Sequence, residues 1–225
     1  NVAGAGGTAG AKRAAAAEPD GHTILIHHLA LAAAPALYNN LGYDTKTAFA
    51  PIGLVNTGPM VIAGKLALPP TDAKSFFPYI KANAEKLTVA HAGVGSNSHL
   101  CAVLMSQQLG AKFNQVAYRG TGPALNDLVS GQIDFMCDQI VSVAEQVKAN
   151  TIKAFAVASA QRSPALPDVP TTTEAGLPEY QIEAWNGIAA PKGTPKEAVD
   201  RLVDALNKAL NDENTKKRLL DLGTV

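Results

Sequence analysis

Two short stretches of this chain bring together residue types that can hold a small anion. Gly93-Val94-Gly95-Ser96-Asn97-Ser98-His99 supplies flexible backbone, two hydroxyls and a carboxamide in succession. Tyr118-Arg119-Gly120-Thr121-Gly122-Pro123 repeats the design further along. Ser, Thr and Asn favour the first positions of a helix, where unpaired N–H groups and the helix dipole attract negative charge. A third glycine-rich stretch, Gly4-Ala5-Gly6-Gly7-Thr8-Ala9, opens the chain. Asp138 follows Ile133-Asp134-Phe135-Met136-Cys137 and offers either an acceptor for a ligand or a cap for the next helix.

Other chemistries do not assemble. The opening glycines fit G-x-G-x-x-A, but a dinucleotide site needs an acid at the end of the next strand, about twenty residues on. Here Glu18 and Asp20 precede that strand, which ends Ile26-His27-His28. The glycines then serve a tight turn that packs a helix on a sheet, or an anion at the helix start. The five histidines, His22, His27, His28, His91 and His99, show no metal-ligand spacing. Ser98 and His99 are neighbours on a helix start, poor geometry for a nucleophile and its base. No G-x-S-x-G elbow is present. Cys101 and Cys137 have no catalytic-thiol motif; they read as two small buried hydrophobes or as one disulfide. Neither a cofactor nor a metal is expected.

Elements must position these loops. Helical patterns fall at 8–17, 35–39, 72–84, 98–109, 123–129, 142–148, 195–210 and 213–222. Apolar strand patterns fall at 23–26, 50–55, 60–63, 87–91, 113–118, 133–137, 152–158 and 181–189. The alternation implies an α/β fold with a largely parallel sheet. In such a sheet the glycine loops share one carboxyl edge, where ligands bind. A composition shift at 64–71 and a proline-rich loop around Pro164, Pro167, Pro170 and Pro178 mark crossings between two lobes. The expected division is 1–64 with 183–225 as a discontinuous first lobe, and 65–182 as the second. The strand ending at Val2 leads directly into the glycine turn, so an upstream strand and helix are expected before it.

Composition narrows the function classes. Hydrophobic residues make up 47% of 225, enough for a sizeable core. Lys+Arg and Asp+Glu are both 19, and no basic run occurs, which argues against nucleic acid or an anionic membrane surface as partner. No apolar run approaches the roughly 20 residues of a membrane span.

The chain resembles the solute receptors of tripartite tricarboxylate transporters, the Bug-type periplasmic binding proteins. The stretches that carry the resemblance are GAGGTAGAKRAA, EPDGHTILI, APALYNNLGYD, GSNSHL, YRGTGPALNDLVSGQIDFMCD, LPDVPTTTEAG and WNGIAAPKGTP, in order across nearly the whole chain. The resemblance implies a type 2 periplasmic-binding-protein fold, two α/β lobes with a ligand cleft between them. It implies a non-enzymatic, periplasmic receptor that captures a small carboxylate and presents it to membrane transporter subunits; a monomer is expected. It also implies a further strand and ligand-touching loop before the first residue, and a final helical segment after the last.

Carried over by position, first-lobe contacts come from the loop at His28, Leu29 and Ala30. Second-lobe contacts come from Gly95, Ser96, Asn97 and Ser98, from Tyr118, Gly120 and Thr121, and from Asp138. Trp185 lies near the crossing back into the first lobe. The His28 loop departs from the small polar residues more common in the family. The oxidising periplasm permits a bridge between Cys101 and Cys137. Arg119 is the only arginine in a candidate loop, so the expected capture is by backbone amides, hydroxyls and ordered water. The rival readings are the ligand-sensing domain of a transcription regulator and a nucleotide-dependent enzyme.

Overall fold

The computed structural model describes Val2 and residues 4–225. A turn at Ala5–Gly7 leads into α1 (Thr8–Ala15), β1 (Leu25–His28) and α2 (Ala30–Leu37). One 17-residue strand follows, β2 (Phe49–Lys65). Then come α3 (Ala73–Ala82), β3 (Thr88–His91), α4 (Asn97–Leu109), β4 (Asn114–Ala117) and α5 (Thr121–Val129). The chain continues through β5 (Phe135–Gln139), α6 (Ile140–Lys148) and β6 (Ile152–Val157). It closes with β7 (Glu183–Pro191), α7 (Lys196–Asn211) and α8 (Glu213–Asp221).

β2 belongs to both lobes. Its first part, up to Pro59, pairs antiparallel with β7, and β1 lies antiparallel on the far side of β7. From Met60 onward it runs antiparallel between β5 and β6. The change of sheet therefore falls between Pro59 and Met60, ahead of the composition shift at 64–71. The two apolar runs at 50–55 and 60–63 are one strand. The Asn56-Thr57-Gly58-Pro59 interruption does not end it, because register shifts near Gly53 and Asn56 absorb the irregularity.

The expectation of a largely parallel sheet is corrected. Only β3 with β4 and β3 with β5 are parallel among the named strand pairs. Alternating elements show that helices connect strands, but not that consecutive strands return to one sheet. Here β2 passes between sheets, and both β2 and β7 run antiparallel to their neighbours. The three strands that carry the candidate loops, β3, β4 and β5, are nonetheless mutually parallel.

Boundaries moved where tertiary packing outweighed local signals. β1 begins two residues later than the 23–26 pattern and takes in His27 and His28. α2 begins at Ala30, with Pro35 inside it rather than at its start. The alanine-rich turn before Pro35 is helical because Ala30 and Ala34 are buried. Gly110 ends α4 in the left-handed conformation, φ 60°, as a C-terminal glycine does.

The second lobe holds most of the core. On one face of its sheet pack Phe76, Phe77, Ile80, Met105, Phe113, Phe135 and Phe155. On the other pack Leu128, Met136, Ile140, Val143 and Val157. The first lobe has a small core of Ala11, Ala14 and Leu25, flanked by Leu31, Tyr43 and Phe49. Among the described residues no helix is long and apolar enough to cross a membrane.

Candidate functional site

β3, β4 and β5 end at His91, Ala117 and Gln139, and being parallel they end at the same edge of the sheet. The Tyr118 N–H donates to the His91 carbonyl at 2.8 Å, which ties the first two strand ends together. α4 and α5 start beyond those ends, so both helix N-termini open at this edge.

At the start of α4 the two serines already have structural partners. Ser96 is the N-cap, and its Oγ accepts from the His99 N–H at 3.2 Å. Ser98 Oγ accepts from the Ala92 N–H at 2.9 Å and lies 3.1 Å from Ser96 Oγ. Their hydroxyls hold the turn. Asn97 between them is 4% exposed, and neither its amide nitrogen nor its oxygen has a hydrogen-bond partner. A buried carboxamide without partners costs about 1–3 kcal/mol per group. Its carboxamide also lies against the His28 ring and favours the charged imidazole, although no hydrogen bond of good geometry closes between them.

Thr121 and Asp138 are brought together. Thr121 Oγ1 donates to Asp138 Oδ2 at 2.9 Å, and the Gln139 N–H donates to Oδ1 at 2.8 Å. Asp138 is 4% exposed. Burial pushes its pKa up to about 6, against these hydrogen bonds and one from Ser142, which pull it down. Gln139, not Asp138, is the N-cap of α6. Gly120 precedes Thr121 with open space around its α-carbon.

Tyr118 turns its hydroxyl away from this edge, donating to Asp127 Oδ2 at 2.6 Å. Burial first, then Asp127, pushes its pKa up to about 12. Trp185, paired with Thr57 of β2, faces a cavity of about 480 Å³ shared with His27, Leu31 and Phe49. Leu29 stands just before α2, and Ala30 is buried. A second cavity, about 870 Å³, runs along β1 and α1 past Gly7, His27 and His28. Both cavities adjoin the His28 loop on its first-lobe side, and neither is lined by Asn97, Thr121 or Asp138.

The two lobes touch at the glycine loops. Tyr38 Oη donates to the Val94 carbonyl at 2.7 Å, and Gly95 packs against Leu37 and Tyr38. Gly6 has φ 58°, and any side chain there would run into the Val94 carbonyl. The opening glycines thus allow close packing of the first helix turn against the 93–95 loop.

Sequence reading missed a chain of amides where the lobes join. Asn186 Nδ2 donates to Asn56 Oδ1 at 2.8 Å and to Gln139 Oε1 at 3.2 Å. Asn56 Nδ2 donates to Thr224 Oγ1 at 3.3 Å. The available signal was a polar residue breaking each apolar strand. Tyr38 was missed too, since nothing in its surroundings marks it. Cys101 and Cys137 are joined as a disulfide, with Cα atoms 6.1 Å apart. The bridge ties α4, one turn past Asn97, to the residue before Asp138.

Two α/β lobes sharing β2, with helix N-termini at the edge between them, define a periplasmic-binding fold. The model of the tripartite tricarboxylate transporter family receptor matches residues 1–224, and the chain belongs to that family. It is a family of solute-binding receptors. A UPF0065 protein from the TAR-I ttuE-ttuC' intergenic region of Agrobacterium vitis is 41% identical over the whole chain, which spans 65% of that relative's length. The solved structure of the periplasmic binding protein BugD superposes with a TM-score of 0.95 at 44% identity, over 99% of this chain and 74% of BugD. MatC from Rhodopseudomonas palustris, solved with bound malate, superposes at 0.93 with 42% identity, over 99% of this chain and 76% of MatC.

Proposed function

We propose that this chain captures a small carboxylate in the periplasm and delivers it to the membrane subunits of a tripartite tricarboxylate-type transporter. The observation that carries the reading is the buried, unpartnered Asn97 carboxamide at the start of α4. It lies on the sheet edge that also carries the Thr121–Asp138 pair, opposite the His28 loop. The malate bound in MatC supports the same ligand chemistry.

Helix-start amides, Asn97 and ordered water receive the carboxylate. Charge-assisted hydrogen bonds contribute about 1.5–3 kcal/mol each. Three or four, less the cost of ordering, reach the roughly 8 kcal/mol of a micromolar complex. A ligand that touches both lobes favours the arrangement in which they meet. Asp138 is ionised at neutral pH and accepts a hydrogen bond from a hydroxyl or ammonium beside the carboxylate. The favoured ligands are therefore hydroxy or amino dicarboxylates.

Calorimetry and Trp185 fluorescence with malate, aspartate, succinate and ATP test this. Micromolar binding of a dicarboxylate supports the receptor; binding of ATP alone refutes it. Asp138→Ala is expected to weaken malate and aspartate at least tenfold more than succinate. Equal losses for all three would remove the role of Asp138.

A further inference from the structure

Four of the five histidines crowd the two loops that meet across the lobes, and all four make the same contact. His27 Nδ1 accepts from the His28 N–H at 2.8 Å, and His28 Nδ1 from the Ala30 N–H at 3.3 Å. His91 Nδ1 accepts from the Gly93 N–H at 3.2 Å, and His99 Nδ1 from the Gly95 N–H at 3.2 Å. A backbone N–H only donates, so an Nδ1 engaged this way presents its lone pair and the neutral ring carries its proton on Nε2; His27 Nδ1 alone also lies 3.2 Å from a carbonyl, that of His28. For His27 that proton points to the Gly7 carbonyl, 3.3 Å away. The rings also pair: His27 with His28 at 4.9 Å between centroids, and His91 with His99 at 4.8 Å.

We propose that His27, His28, His91 and His99 are positioning residues that hold both binding loops only while uncharged, so that acidification releases the loops and the ligand. A proton added at Nδ1 of His28, His91 or His99 would face a backbone N–H, and at His27 it would trade the His28 N–H for the His28 carbonyl. It would break the bonds that fix His28 and Ala30 in the first lobe and Gly93 and Gly95 in the second. The second ring of each pair would then meet a like charge. The other groups facing the rings do not offset this. Arg13 shares the cavity wall with His27 and His28, and Lys46 shares one with His27. Tyr38 bonds the Val94 carbonyl inside the second loop, and the Tyr118 carbonyl lies against Gly93. Among the described residues no carboxylate forms an ion pair with any of the four.

The titration has the matching direction. Burial lowers the pKa of all four from 6.5, and for His28, beside His27 and against the pull of Asn97, to about 4. A lowered histidine pKa stabilises the native loops fully above the ordinary value. The contribution is lost as pH falls through the native value. The ligand rests on the carboxylate-receptor reading; the loop chemistry does not.

Two measurements separate these. Nitrogen NMR of the histidine rings, without any ligand, is expected to show the four protons on Nε2 at neutral pH. It is also expected to show the Gly93 and Gly95 amide signals moving with ring protonation. Malate affinity is then followed from neutral to acid pH in the parent and in the H91N/H99N double variant. Asparagine Oδ1 replaces Nδ1 as acceptor but does not titrate. Asp138 and the ligand's own carboxylates affect both proteins alike, so the difference isolates the rings. The parent is expected to lose up to about tenfold more affinity per pH unit for each linked ring. Leucine at the same two positions is expected to weaken binding at every pH. Protons on Nδ1 at neutral pH, or an equally steep acid loss in H91N/H99N, would overturn the proposal. If malate binds neither protein while the ring protons lie on Nε2 and the glycine amides titrate, the receptor reading fails and the loop chemistry stands.

Discussion

The two lobes are built from the same kinds of element but differ in how much apolar surface they bury among the described residues. The second lobe closes a sheet between two packed faces and adds a disulfide and a buried Tyr180 that donates to the Cys101 carbonyl at 2.7 Å. The first lobe has three residues in its buried cluster. None of the residues of α7 or α8 is buried, and Ile26 and Leu54 are 64% and 52% exposed. Free energy of local opening follows buried apolar contact. Among the described residues, the second lobe therefore gives Asn97, Thr121 and Asp138 the more densely packed support.

The largest test of this contrast compares truncations in the two cores. Phe135 is fully buried and meets Phe76 and Phe113 edge-on. Phe135→Ala is expected to cost about 3–5 kcal/mol in urea unfolding. Leu25→Ala, in the thin first-lobe cluster, is expected to cost about 2 kcal/mol or less, because its surroundings can collapse or admit water. Similar losses at both positions would erase the contrast.

A smaller effect separates the platform from its function. The neutral form of Asp138 contributes stability that is fully present below pH 3.8 and lost as pH rises through about 6. Asp138→Asn removes that titration, so the variant is expected to gain stability relative to the parent as pH rises through about 6 and not below 3.8. Thermal unfolding across this range measures it. A constant gain at all pH values would mean the carboxyl is not titrating in the buried site.

The smallest effect lies between the lobes. Tyr38→Phe removes the bond to the Val94 carbonyl and is expected to cost about 1 kcal/mol. The readout is a larger radius of gyration in solution scattering, with the second-lobe unfolding midpoint unmoved. A variant as compact as the parent would mean that packing at Gly6 and Gly95 holds the lobes without the hydroxyl.

Much of the site was legible because it depends on local chemistry. Glycine followed by Ser-Asn-Ser, or by Thr-Gly-Pro, after a strand pattern marks a helix start on a sheet edge, and both helices begin there. Which side chains within those motifs are already engaged by the fold was not legible. Ser96 and Ser98 look like ligand donors but are engaged by the turn, whereas Asn97 is left without partners. Tyr118 is spoken for by Asp127. Asn56, Gln139 and Asn186 meet only because β2 and β7 lie side by side beside the end of β5.

The sequence alone determined most segments as helix or strand, where the glycine-rich helix-start turns fall, and that the chain carries no net charge. Those properties follow from side-chain periodicity and backbone freedom, which act within a few residues. Strand direction, the union of two apolar runs into β2, and the approach of Asn97 to His28 across the lobes were decided only by tertiary structure. They depend on contacts between residues far apart in the chain, and a hydrogen-bond partner exists only once such contacts form.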